Sequence, residues 1–263
     1  MRLFQNSSTR ALILIMLALV TIGILIARTY YRHQDAAVDP RIKEARVMYS
    51  RYNDYAASGD YYKVIALLDS IESIYLASSD YSHAYEMGVL HNNKGAVQLT
   101  IALYADSIDR AFNPYYGVAE DSLITMAETN INYAIGIYNE WIYLYKDMDT
   151  EQISELIKPG IEAGLDLLYT DKPEVIIDAR AKEIYKTIAE SDRRLSVSYT
   201  NLGVISRHRG EYEEAIRRYE KALELWDRNL DAENNINRLL GHPLKKRNII
   251  QKLFPPDRDQ VGR

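Results

Sequence analysis

Cysteine is absent from the 263-residue sequence. Disulfide bridges, thiol catalysis and cysteine-based zinc sites are excluded with it. Histidine is scarce: His33, His83, His91, His208 and His242 are all there is. None pairs with another at the four-residue spacing, with an intervening glutamate, that metalloproteases use. His83 and His91 are eight apart and share a helical face, but no carboxylate pair accompanies them. No glycine-rich phosphate loop, nucleophile elbow or dinucleotide fingerprint is present. Gly160, following Pro159, reads as a helix break rather than a phosphate cradle. The expectation is a protein that is not an enzyme and holds no cofactor and no metal. Alternating β-branched runs are nearly missing too, which argues against strands.

Helical periodicity fills the space those absences leave. About 47% of the residues are hydrophobic, enough for one sizeable folded unit. Apolar stripes at spacings of three and four cover most of 41–240, and the fold class they predict is all-α. Tyrosine is the unusual ingredient, with 22 residues against three phenylalanines. Its ring packs while its hydroxyl seeks water or a partner. Two readings stand: tyrosine at the edges of a core, or an aromatic groove for a peptide.

One long uncharged run stands apart. Residues 11–27, ALILIMLALVTIGILIA, are bracketed by Arg10 and Arg28. As a helix the run spans roughly 25 Å, slightly less than a hydrocarbon core of about 30 Å. Arginines at its ends reach the interface by snorkelling, and Tyr30 and Tyr31 lie where an aromatic belt belongs. No small-residue cleavage site follows, so the reading is an uncleaved anchor over 11–31 rather than a signal peptide. The expected layout is a tail (1–10), a single transmembrane helix, a linker (32–40), a helical domain (41–241) and a basic tail (242–263). The expected localisation is a single-pass bacterial inner-membrane protein with its helical domain outside the cytoplasm. A domain facing the cytoplasm is the alternative, and the lipid bilayer is one expected partner.

Charge is uneven along a chain whose net charge is −5. Residues 115–180 hold 13 acids and 4 bases, whereas 245–263 hold 6 bases and 2 acids. The acidic middle predicts attraction of a basic peptide and disfavours nucleic acid. The basic tail, with Ile249, Ile250, Leu253 and Phe254, reads as a cap on the last helices or as a short docking helix.

The most informative segment is 196–229, SVSYTNLGVISRHRGEYEEAIRRYEKALELWDRN. Tyr199, Leu202 and Ser206 share one helical stripe, and Gly203 beside them lets a second helix approach closely. Gly210 suits the left-handed residue that ends a helix, and Tyr212 opens the next one. Ala215, Tyr219 and Ala222 then form the apolar stripe of the partner helix. This pattern resembles the tetratricopeptide repeat, a helix hairpin that stacks on its neighbours and binds other polypeptides. It departs from the family at Asp227, where proline is usual. Weaker echoes occur at Gly59-Asp60-Tyr61 with Val64, Leu68 and Ile71, at Ala134, Tyr138 and Trp141, and at Ala181, Tyr185 and Ile188. His91-Asn-Asn-Lys-Gly95 echoes Tyr199-Thr-Asn-Leu-Gly203. The period breaks between Gly95 and Ala134, so an insertion is expected near 105–120, where Asn113-Pro114 and Gly117 signal a turn. Residues 230–240 read as a capping helix ended by Gly241 and Pro243.

The resemblance implies a degenerate helical repeat array that binds proteins or peptides. Its first helices would line any groove: Asn92, Asn93, Ala96 and Leu99 in one repeat, and Thr200, Asn201, Val204, Arg207 and His208 in another. The expected function is a membrane-anchored scaffold or adaptor that helps assemble a membrane-associated complex. An obligate structural subunit of a larger membrane machine is the alternative. An enzyme on a helical scaffold ranks last.

Overall fold

The computed structural model describes residues 37–165 and 173–246. Among these residues every regular element is helical, so the fold is all-α. The helices are α1 (Lys43–Tyr49), α2 (Tyr52–Ser58), α3 (Tyr61–Leu76), α4 (Tyr85–Tyr104), α5 (Glu120–Tyr145), α6 (Thr150–Gly164), α7 (Pro173–His208), α8 (Tyr212–Leu225) and α9 (Leu230–Leu240). Two short 3₁₀ turns, Ala105–Ser107 and Arg110–Phe112, and the left-handed Gly117 occupy the connection between α4 and α5.

Local chemistry sets the corners. Gly59 and Gly210 adopt φ of 71° and 79°, closing α2 and the long α7 in a conformation that side chains resist. The Asp60 carboxylate accepts from the Lys63 amide and starts α3. Asp149 and Gln152 form a reciprocal capping box at the start of α6. At the exit of α8, where Asp227 replaces the expected proline, Asn229 holds the turn. Its side chain donates to Ser196 Oγ at 2.7 Å and Thr200 Oγ1 at 2.9 Å, and accepts from the Ala232 amide at 3.0 Å. One buried asparagine thus ties α7, the exit turn and α9 together.

The buried apolar residues form one main cluster and two smaller ones, at Ile161, Leu165, Ile176 and Ile177 and at Ala215, Tyr219, Ala222 and Ala232. α4 and α5 pack antiparallel, with Gly88 under the Tyr138 ring and Gly95 against Ile131. A β-carbon on Gly88 would meet Tyr138 Cε1 at 2.7 Å, and one on Gly95 would meet Ile131 Cγ1 at 2.6 Å. Further along the chain Gly203 takes the same part under Tyr219, where a β-carbon would lie 2.4 Å from Cε1. Ala134 and Tyr138, like Ala215, Tyr219 and Ala222, are fully buried. α4 is buried on most of its circumference, as a central helix must be.

Helix α7 joins the two halves. Its 36 residues, roughly 54 Å of helix, pack first on α5 and α6 and then on α8. Because it runs without a break, its buried stripe passes through Ala181, Ile184, Ser191 and Leu195. The echo Ala181, Tyr185, Ile188 is therefore corrected at its middle position: Tyr185 is half exposed and Ile184 takes its place in the core. α6 also continues through Pro159 and Gly160 to Gly164, so the expected break at Gly160 is absent.

The sequence expectation of a single-pass membrane protein is corrected as well. Among the described residues no helix is long and apolar enough to cross a membrane. The run 11–27 and the interval 11–31 lie outside the described residues, as do the first part of the linker, 32–36, and the tail beyond Lys246.

Candidate functional site

The residues expected to line a groove are largely consumed by packing. Leu99 is buried, and Thr200 bonds its own helix backbone and Asn229. Asn92 accepts from the Ser198 hydroxyl at 2.8 Å, which joins α4 to α7. Asn93 donates to the Tyr49 hydroxyl at 2.9 Å, which joins α4 to α1. Arg207 points the other way and donates to Asn235 on α9. His208 Nε2 lies 2.6 Å from Glu120. Ala96, Asn201 and Val204 are half-buried. The two first helices do meet, but through these polar links and not across an open channel. Of the residues expected to pack the hairpin, Leu202, Gly203, Ala215, Tyr219 and Ala222 are buried, Tyr199 is half-buried, and Gly210 and Tyr212 are exposed. Neither His83 nor His91 belongs to a metal cluster among the described residues. His91 instead bonds Asn130 and faces Glu72.

A concave site lies elsewhere, where α5, α6 and α7 meet the segment before α4. A cleft of about 240 Å³ is bounded by Tyr81, Trp141, Tyr145 and Arg180 on one side and by Ile157, Gly160 and Ile161 on the other. Arg180 is 6% exposed and forks Glu86, with Nη2 to Oε2 at 3.0 Å. Its guanidinium sits over the rings of Tyr81 at 4.9 Å and Trp141 at 5.9 Å. Glu183 accepts from Arg180 at 3.3 Å and forks Arg46 of α1 at 2.5 Å. The cluster therefore couples α1, α4 and α7.

Electrostatics keep this cluster ionised. Burial alone would lower the pKa of Arg180, but the charge of Glu86 and its hydrogen bonds outweigh that and raise it. Burial would raise Glu86, and Arg180 more than offsets it, holding the carboxyl below its usual range. Burial pushes the Tyr81 phenol up, so it stays a neutral donor to Asp39 Oδ2 at 3.0 Å.

A second ion pair is seated in α6. Arg41 forks Asp39 and reaches Asp80 Oδ2 at 2.7 Å. Gly160 and Gly164, one turn apart, leave the space this pair needs. A β-carbon on Gly164 would sit 1.7 Å from Arg41 Nη1, and one on Gly160 would sit 2.4 Å from Asp80 Oδ1. The four-residue spacing of Gly160 and Gly164 is the sequence signal of that space, whereas Pro159-Gly160 alone signals a break. At the rim, Leu144 and Leu156 are nearly half exposed. The arrangement offers an aromatic and aliphatic wall, a neutralised cation at the floor and an apolar lip. It carries no nucleophile–base pair.

No family model, curated protein or solved structure matches this chain.

Proposed function

We propose that this protein is a helical scaffold of the tetratricopeptide kind that binds another polypeptide, with the cleft between α5, α6 and α7 receiving an apolar side chain of the partner. The observation that carries this reading is the recurrence of one packing device in two hairpins, Gly88 under Tyr138 and Gly203 under Tyr219. A stacked-hairpin architecture builds extended surfaces rather than enclosed catalytic pockets. The exposed Leu144 and Leu156 lining the cleft support docking there, because exposed large apolar groups grouped at a concave site mark interaction surfaces.

The test is crosslinked affinity purification of the full chain beside a Leu144→Asp/Leu156→Asp variant, with circular dichroism to show that both fold alike. A protein retained by the wild type and lost from the variant supports the reading. An identical set of captured proteins, or none from either, overturns it.

A further inference from the structure

The cleft offers walls for a ring and an acceptor for a hydroxyl. The rings of Tyr81, Trp141 and Tyr145 and the side chains of Ile157 and Ile161 line it, and so does Asp80. The two oxygens of Asp80 differ. Oδ2 accepts from Arg41 at 2.7 Å. Oδ1 faces Gly160, also on the cleft wall, and among the described residues it accepts no hydrogen bond. The Asp80 side chain is 22% exposed, so that oxygen is within reach of a donor. An apolar cavity of roughly 150 Å³ takes a benzene ring, and small-molecule sites begin at roughly 300 Å³. At about 240 Å³ the cleft suits one phenol better than a whole ligand.

The chain itself carries such a group to the cleft. Asp39, two positions after Ala37, is buried and pinned there. It accepts from the Tyr81 hydroxyl at 3.0 Å and from Arg41 at 2.7 Å. The chain thus enters the fold at a residue bonded to the cleft wall. The residues before Ala37 read Arg28-Thr-Tyr-Tyr-Arg-His-Gln-Asp-Ala36. Tyr31 precedes Asp39 by eight positions, a reach of up to about 26 Å. Charge agrees with that approach. Residues 140–162, which carry Leu144 and Leu156, hold six acids, all exposed, and two bases. Residues 28–36 hold Arg28, Arg32 and His33 against one acid, Asp35. Opposite signs draw the two segments together.

We infer that in the free chain the cleft is occupied by the chain's own segment 28–36, which inserts a tyrosine ring and donates its hydroxyl to Asp80 Oδ1. The inference rests on the docking reading of the cleft and adds its regulation: a partner enters by displacing this strap. A phenylalanine would leave the Asp80 oxygen unpaired, so the hydroxyl is part of the fit. A tether this short gives an effective concentration in the millimolar range. A partner of the same chemistry, a tyrosine among arginines, then binds with an apparent affinity reduced by the fraction of clefts that stand open.

The test uses the full chain with Trp226→Phe, which leaves Trp141 in the cleft as the one tryptophan. Acrylamide quenching of Trp141 is compared with and without Tyr30→Ser/Tyr31→Ser, with circular dichroism to show that both chains fold alike. Quenching is expected to be stronger in the serine pair. A terminally blocked peptide of residues 28–34 is then titrated into both. It is expected to bind the serine pair about tenfold or more tightly than the parent, and to lose that binding when Leu144→Asp/Leu156→Asp is added. Equal quenching overturns the strap, and so does equal peptide affinity, including no binding to either chain. Protection of Trp141 that grows with protein concentration assigns the occupant to a second copy and overturns it. Protection lost in Leu253→Asp/Phe254→Asp but kept in the serine pair assigns the occupant to the basic tail and also overturns it. The docking reading fails separately, on unchanged partner capture by the Leu144→Asp/Leu156→Asp variant, so a failed strap leaves it standing.

Discussion

The hairpin of α7 and α8 and the hairpin of α4 and α5 share one packing device and little else. In each, a glycine lies under a buried tyrosine ring: Gly203 under Tyr219, and Gly88 under Tyr138. Around the first, the ion pairs on α8 are mostly local, while His208, Arg209 and Arg218 reach Glu120 and Glu128 of α5. Glu214 pairs with Arg217 and Arg218, and Lys221 with Glu224, all within one turn of α8. Around the second, polar groups reach across the fold. Arg180 meets Glu86, Arg46 meets Glu183, Lys94 meets Asp69 and Glu72 of α3, and Trp141 Nε1 donates to Thr187 at 2.9 Å. The regular hairpin thus adds a set of local pairs on α8 to its links with α5. The irregular one is stabilised by pairs between elements distant in sequence, and the cleft lies beside it.

That contrast breaks hardest at Arg180. Arg180→Met leaves the half-buried Glu86 without its cation, and a loss of about 3 kcal/mol of stability, the low end for a buried pair, is expected by urea unfolding. The same pair predicts a pH dependence. Glu86 is held below its usual range, so its contribution is complete above the unfolded carboxyl pKa of about 4.3 and is lost as pH falls through the lower folded value. The wild type is expected to lose stability on acidification more steeply than Glu86→Gln. Matching slopes would show that the pair does not couple to folding.

The shared device ranks second. Gly88→Ala and Gly203→Ala each drive a methyl into a tyrosine ring, and losses of about 1–3 kcal/mol are expected in both. Similar losses would establish that the two hairpins use the contact alike. A tolerated Gly88→Ala would confine the device to the regular hairpin. The smallest effect belongs to the local pairs: Arg217→Ala, which removes one exposed partner of Glu214, is expected to cost less than about 0.5 kcal/mol and to shrink with salt.

Legibility in the sequence followed the same division. Stripes such as Val64, Leu68 and Ile71, or Ala215, Tyr219 and Ala222, fall on buried helical faces because helix periodicity is a local property. Tyr185 fell outside its stripe because the unbroken α7 follows the face set by α5 and α6, not the 34-residue repeat period. The groove was misplaced for a different reason. Asn92, Asn93 and Thr200 look available from their helix positions, but their partners Ser198, Tyr49 and Asn229 come from other elements. The cleft is not legible in Pro159-Gly160 because that pair speaks only for the backbone, while Gly160 and Gly164 make room for side chains from before α4.

The sequence by itself determined that the described chain is helical, where turning residues such as Gly59, Gly210 and Gly241 fall, and that α8 presents one apolar face. Each of these follows from residues a few positions apart. The tertiary structure alone decided which polar and charged groups meet. Arg180 and Glu86 are 94 residues apart and Ser198 and Asn92 are 106 apart, so no local period encodes their meeting.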